Sequence, residues 1–115
     1  MASWLERIIG RVDNPGAPII TTRALDADFT PSATAYTLCI YTINMVVAST
    51  QSSTVVLNSD AVATPTTPRC SASTNVVGTA RQVLVYVCPP GENVKLVSSG
   101  TGTPTIVHQV EIPIS

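Results

Sequence analysis

Residues Gln82 to Ile114 read QVLVYVC, PPGE, NVKLVSS, GTGTP and TIVHQVEIPI, three apolar runs broken by two turn signals. That spacing predicts a three-stranded meander. Val83, Leu84, Val85, Tyr86, Val87 and Cys88 are apolar at both parities of an alternating strand, which predicts a central strand covered on both faces. In the last run Ile106, His108, Val110, Ile112 and Ile114 alternate with Val107, Gln109, Glu111 and Pro113. The first set is expected to face the core and the second a wetter surface. Pro90 and Gly91 suit the central positions of a type II turn, because proline presets the first dihedral and glycine takes positive φ at the second without strain.

Working outward, the 115-residue chain is the size of one domain and buries roughly 65% of its unfolded surface. Charged residues are 11% of the chain and hydrophobic ones 44%, where an ordinary soluble domain carries about a quarter charged. No charge falls between Asp28 and Asp60, and Lys95 is the only lysine. The surface must therefore be covered by Thr, Ser, Asn, Gln and Ala or by neighbouring subunits. Together with the two-sided apolarity of Gln82 to Cys88, this deficit predicts a homo-oligomer. The net charge of -1 and the scattered Arg7, Arg11, Arg23, Arg69 and Arg81 exclude non-specific nucleic-acid binding, which neutralises phosphates with clustered cations.

The opening MASWLERIIG contains Glu6 and no long apolar run, so it does not read as a secretory signal. The uncharged stretch Phe29 to Ser59 is interrupted throughout by polar residues in a β-like pattern, which excludes a transmembrane helix and a membrane partner. Cys39, Cys70 and Cys88 are widely spaced, without the clustering that wraps zinc. They read as thiols in a chain made in a reducing cytoplasm, Cys39 and Cys88 as small hydrophobes inside strands.

Ser3 and Glu6 have capping-box spacing, and Trp4, Leu5, Ile8 and Ile9 form one stripe before Gly10, so a short helix is expected here. About seven residues do not hold a helix in water unaided, so the stripe docks either on its own domain or on a partner. From Arg11 to Pro31 periodicity is lost around Asn14, Pro15, Gly16 and Pro18, with Ile19, Ile20 and Leu25 the main apolar residues, which reads as an extended arm. Residues 14–31 span on the order of 60 Å when extended. The organisation expected is thus a helix and arm over 1–31 and a β-domain over 32–115, with Trp4, Leu5, Ile8, Ile9, Ile19 and Ile20 as partner-binding residues.

Thr34 to Ala48 is long for one straight strand, and a bend or bulge is expected near Thr42 to Asn44. Ser49 to Ser53 reads as a turn, Thr54 to Leu57 as a strand closed by Asn58 to Asp60, Ala61 to Pro68 as an exposed loop, and Arg69 to Val77 as an edge strand. The class is all-β, a small β-sandwich or jelly-roll-like barrel of about seven or eight strands.

Nucleophilic hydrolysis would need His108 beside one of the cysteines or a serine, with a third group orienting the ring. By alternation His108 sits on the apolar face, as a packed histidine. Asp26 and Asp28 are a pair of oxygens where calcium takes six to eight, so a solvated turn is the better reading. GTGTP lacks the lysine and helix of a phosphate loop. No catalytic residue, metal or cofactor is expected.

The threonine-rich, sparsely charged β body, the run VYVCPPGENVKLVSSGTGT over residues 85–103, and the N-terminal helix and arm resemble the small β-sandwich decoration or cement proteins of tailed-bacteriophage capsids. That resemblance implies a non-enzymatic virion protein, commonly a homotrimer, which clamps the major capsid protein or another virion protein on the capsid surface after synthesis in the host cytoplasm. No functional residue of the family transfers. The alternative is a tail-associated domain that binds a host receptor or glycan through Tyr36, Tyr41 and Trp4, and a third reading is a small cysteine or serine hydrolase using His108.

Overall fold

A computed structural model describes residues 22–114; the expected helix, the anchor residues between Trp4 and Ile20, and Ser115 lie outside the described residues. Seven strands follow in order: β1 (Asp28–Phe29), β2 (Thr37–Val47), β3 (Ser53–Asp60), β4 (Pro68–Thr74), β5 (Gly78–Cys88), β6 (Asn93–Gly100) and β7 (Thr103–Pro113). They form a four-stranded sheet, β1-β6-β3-β4, and a three-stranded sheet, β5-β2-β7, with every pairing antiparallel. The fold is all-β and sandwich-like, as the alternation and turn signals predict.

Alternate residues of each strand meet between the sheets. Cys39, Tyr41, Ile43 and Met45 of β2 pack with Val55 and Leu57 of β3, Ala72 of β4, Leu84 and Cys88 of β5, and Val94 and Leu96 of β6, all of them buried. Fully burying one such large side chain stabilises by about 1.5 to 3 kcal/mol before the ordering cost. Leu25 and Phe29 also pack on this cluster, and the Asp26 amide donates to the Leu96 carbonyl at 2.8 Å, so residues 25–29 run along the sandwich.

Three expectations for Gln82 to Ile114 are corrected. The three runs are strands, but they are not a meander: β5 and β7 flank β2, and β6 lies in the other sheet. The PPGE turn itself forms, with Gly91 at φ 75° and the Glu92 amide donating to the Pro89 carbonyl at 3.3 Å. It carries the chain across the sandwich instead of back alongside β5. The second crossing is fixed by close approach: Gly100 has φ 91°, and a Cβ there would fall 2.4 Å from the Ser52 carbonyl oxygen. That same oxygen accepts from the Thr101 amide at 2.9 Å and the Gly102 amide at 2.8 Å.

Secondly, β5 is an edge strand and β2 the central one, and the outward residues Val83 and Val85 are 55% and 53% exposed. Thirdly, the faces of β7 are exchanged over its C-terminal half. Thr42 pairs with His108 but Ile43 pairs with Ile106, so Val107 is an extra residue in β7. A one-residue bulge reverses the parity of everything after it. His108 is therefore exposed and Glu111 fully buried. The irregularity falls within the Thr42 to Asn44 stretch where one was expected, with the extra residue on the partner strand. β3 also continues through Asn58, Ser59 and Asp60 instead of ending before them, and in the 61–67 loop Pro65 is buried among exposed neighbours.

Candidate functional site

The register places Leu38, Val87 and Ile112 side by side on the outer face of β5-β2-β7, followed by Ile40, Val85 and Val110, then Thr42, Val83 and His108. Beyond these rows come Asn44, Arg81 and Thr105, then Val46, Thr79 and Thr103. One end of this face is thus almost wholly apolar and the other polar. No Asp or Glu occupies an outward position on the three strands. Seven aliphatic side chains in adjoining positions, with Val83 and Val85 more than half exposed, form a contiguous apolar patch. Such patches mark interaction sites more often than isolated surface valines do.

The face of β7 turned inward is held by charge. Glu111 is fully buried and accepts from Arg23 twice, Nε to Oε2 at 2.8 Å and Nη2 to Oε1 at 2.7 Å, while the Tyr41 hydroxyl donates to Oε2 at 2.9 Å. The two-pronged match satisfies a carboxylate that would otherwise be expensive to bury. The Arg23 guanidinium also lies 4.5 Å from the centre of the Phe29 ring, and Phe29 meets Tyr41 edge to face at 5.9 Å. Its hydrogen bond to Glu111 holds the Arg23 pKa above the ordinary value, and burial pushes the Tyr41 hydroxyl up. The Arg23 amide donates to the Gln109 side-chain oxygen, so the chain is fastened to β7 where it enters the described region.

A second polar group lies at the opposite edge of the sheet, since Tyr86 and Glu111 both pair with Cys39 from its two sides. Glu92 accepts from the Ser59 hydroxyl and, at 2.9 Å, from the Tyr86 hydroxyl, with Arg69 Nη2 at 3.9 Å. It ties the β5–β6 corner to β3 and β4. Cys39 and Cys88 face the core, where burial pushes each thiol up to about 12, and Cys70 is raised by partial burial. His108 lies on the opposite side of its sheet from all three thiols, so the strand register separates the base from the cysteine nucleophiles that a hydrolase would pair. Asp26 is engaged by the Ser98 amide and hydroxyl, which lower its pKa, and among the described residues no cluster of three metal-ligating side chains occurs. An open depression of about 290 Å³ lined by Ser52, Thr54, Ser73, Thr74 and Asn75 holds no titratable group. No helix among the described residues is long and apolar enough to cross a membrane.

Of the residues singled out from the sequence, Tyr41 is withdrawn from any surface role by its burial against Glu111. The apolar face was signalled by VLVYV, whose double-sided pattern is now divided between core and surface. Nothing local signalled the pairing of Arg23 with Glu111 across 88 positions. Compared with protein-family models, curated proteins and solved structures, the chain matches none.

Proposed function

We propose that this protein is a non-enzymatic virion subunit that binds the outside of a capsid as an oligomer, with the outer face of β5-β2-β7 as its contact surface. One observation carries the reading: an aliphatic patch free of acidic groups lies on one outer face of a sandwich whose other outer face is mostly polar, with Val56 and Val97 its apolar pair. Interface centres are depleted of charge in this way, with polar groups displaced to the rim. The resemblance of the sequence to capsid decoration proteins supplies the class of partner, a coat subunit, and the expectation of a homotrimer. The short N-terminal helix and the stripe Trp4, Leu5, Ile8 and Ile9 belong to the same proposal as anchoring elements. Free thiols at Cys39, Cys70 and Cys88 accord with synthesis in a reducing host cytoplasm before incorporation into the virion. The receptor-binding alternative is disfavoured because Tyr41, one of its few aromatic residues, is inside.

Co-sedimentation with purified empty capsids tests the proposal. The protein is expected to pellet with capsids at saturable stoichiometry, and Ile40→Lys in the centre of the patch to abolish pelleting while the far-ultraviolet β spectrum persists. Pelleting unaffected by Ile40→Lys would remove this face from the contact, and no pelleting at all, with binding on a glycan array, would replace capsid decoration by host recognition.

A further inference from the structure

The two edges of the three-stranded sheet differ in how they are closed to a further strand. Tyr36 leads into β2 and its carbonyl accepts from the Ile114 amide at 2.9 Å, so even-numbered residues of β2 turn their main-chain groups toward β7 and odd-numbered ones toward β5. Opposite those odd positions in β5 stand Ala80, Gln82, Leu84, Tyr86 and Cys88. The amides and carbonyls of Thr79, Arg81, Val83, Val85 and Val87 therefore point away from the sheet, where β5 has no second strand partner among the described residues. The Cys70 thiol meets the Val85 carbonyl at 3.7 Å, a weak contact that agrees with this direction and does not engage the amide.

Other edges carry devices against strand addition. On β7, Pro104 and Pro113 stand opposite Met45 and Thr37, both edge-facing positions where an amide is missing, and Val107 makes the bulge. β4 begins with Pro68 beside the register shift at Leu57 and Asn58, and β1 is two residues long. By contrast β5 runs for 11 residues in unbroken register with β2, without proline or lysine and with Arg81 as its one charge. A long, regular, apolar edge of this kind is a template for another strand.

The strand that fits is β5 itself. Paired antiparallel about a two-fold axis at Val83, residues 78–88 match 88–78 over their full length, and the edge-facing residues exchange about ten main-chain hydrogen bonds. Val83 then lies beside Val83 of the second copy, and Arg81 and Thr79 beside its Val85 and Val87, so no like charges are opposed. The two arginines stand about 14 Å apart along the strands, beyond the screening length of about 10 Å in ordinary salt. The two-fold closes the pair, and the prolines of β7 stop the joined sheet from growing at its ends.

We propose that β5 is a self-association edge, through which two copies pair antiparallel over Gly78–Cys88 and join their three-stranded sheets into one. The wall involved is about 37 Å long and about 10 Å deep between the sheets, on the order of 700 Å² over both copies, below the roughly 1,000 Å² of a stable complex. The dimer is therefore weak and concentration-dependent, with main-chain hydrogen bonds as its main source of affinity. The pairing leaves the apolar outer face open and does not rest on the capsid reading; it makes the unit a dimer where the resemblance implies a trimer.

Sedimentation of the full-length protein without capsids, from micromolar to near-millimolar concentration, is expected to show a mass rising toward twice that of one chain. Hydrogen exchange should slow with concentration at the amides of Arg81, Val83 and Val85, while those of Leu84 and Tyr86 stay protected throughout. Val83→Pro removes an edge-facing amide and leaves the pairing with β2 untouched, so it should keep the far-ultraviolet spectrum and the mass of one chain at every concentration. Val83→Thr retains the amide and should associate like the parent. If Val83→Pro loses the fold, the exchange pattern of the unaltered protein decides alone. A mass of one chain across the whole range overturns the proposal, as do edge amides that exchange equally fast at every concentration. A trimeric mass overturns it too, as does association that survives Val83→Pro in a folded protein. Each outcome is read without capsids, so a failure here is distinguishable from a failure to bind coat.

Discussion

The two outer faces of the sandwich are built on the same alternation and end in opposite chemistry. On β1-β6-β3-β4 the outward rows are Ser99, Thr54 and Ser73, then Val97, Val56 and Ser71, then Asp28, Lys95 and Asn58. On β5-β2-β7 the corresponding surface carries Leu38, Ile40, Val83, Val85, Val87, Val110 and Ile112. Both sheets donate an equivalent inner layer to one core, so folding of the sandwich does not call for the second set. Val83 and Val85, on the edge strand β5, are 55% and 53% exposed, so these two side chains add less to the stability of the subunit than a core valine does. The difference between the sheets is one of outer composition laid over a shared inner layer.

The assignment of faces on β7 rests on Glu111, and the largest effect is expected there. Arg23→Ala leaves the buried carboxylate with the Tyr41 hydroxyl alone. Breaking such a pair costs about 3 to 5 kcal/mol, to be read from the urea midpoint at constant slope. Replacing both partners, as Arg23→Met with Glu111→Leu, should recover most of the loss, because two apolar side chains need no desolvation compensated. A loss below about 1 kcal/mol for Arg23→Ala is the value of a surface pair. It would place Glu111 in water, return Val110 and Ile112 to the core side, and dissolve the contrast between the faces.

The corners that route successive strands to alternate sheets come next. Gly100→Ala places a Cβ 2.4 Å from backbone that does not give way, at φ 91°, whereas at Gly91 the same methyl meets nothing within 4 Å at φ 75°. The dihedral strain alone is worth about 1 to 3 kcal/mol. Gly100→Ala should therefore lower the urea stability by more than that range's lower end, and Gly91→Ala by about 1 kcal/mol. Equal losses at the two glycines would mean that the Ser52 contact does not fix the second crossing.

How much of this was legible follows from which signals are local. The β class and the PPGE turn were readable because alternation and positive φ at Gly91 act within a few residues, and the edge strand expected over Arg69 to Val77 forms at a sheet edge as Pro68–Thr74. Strand partners were not, since Pro89 to Glu92 has the same turn chemistry whether the next strand lies alongside or across the sandwich. The inversion of His108 and Glu111 was hidden for a related reason. The bulge at Val107 has no glycine or proline to announce it, and the group that makes Glu111 tolerable inside is Arg23, far away in sequence. VLVYV has the composition of the candidate face but does not tell its cover: apolarity at both parities reads identically for a buried central strand and for an edge strand whose outer face is exposed.

The smallest effect on stability should accompany the most direct test of the comparison. Val83→Thr with Val85→Thr exchanges a methyl for a hydroxyl on side chains that are already 55% and 53% exposed, and threonine keeps the branching that suits a strand. Surface substitutions of this kind change unfolding free energy by about 0.5 kcal/mol or less each. The matching pair on the other sheet, Val56→Thr with Val97→Thr, should cost a similar amount. Capsid co-sedimentation should separate them: the first pair weakens it several-fold because the hydroxyls must be desolvated at the contact, and the second leaves it unchanged. Equal weakening by both pairs would show that binding follows overall surface apolarity and that the two faces differ in composition without differing in use.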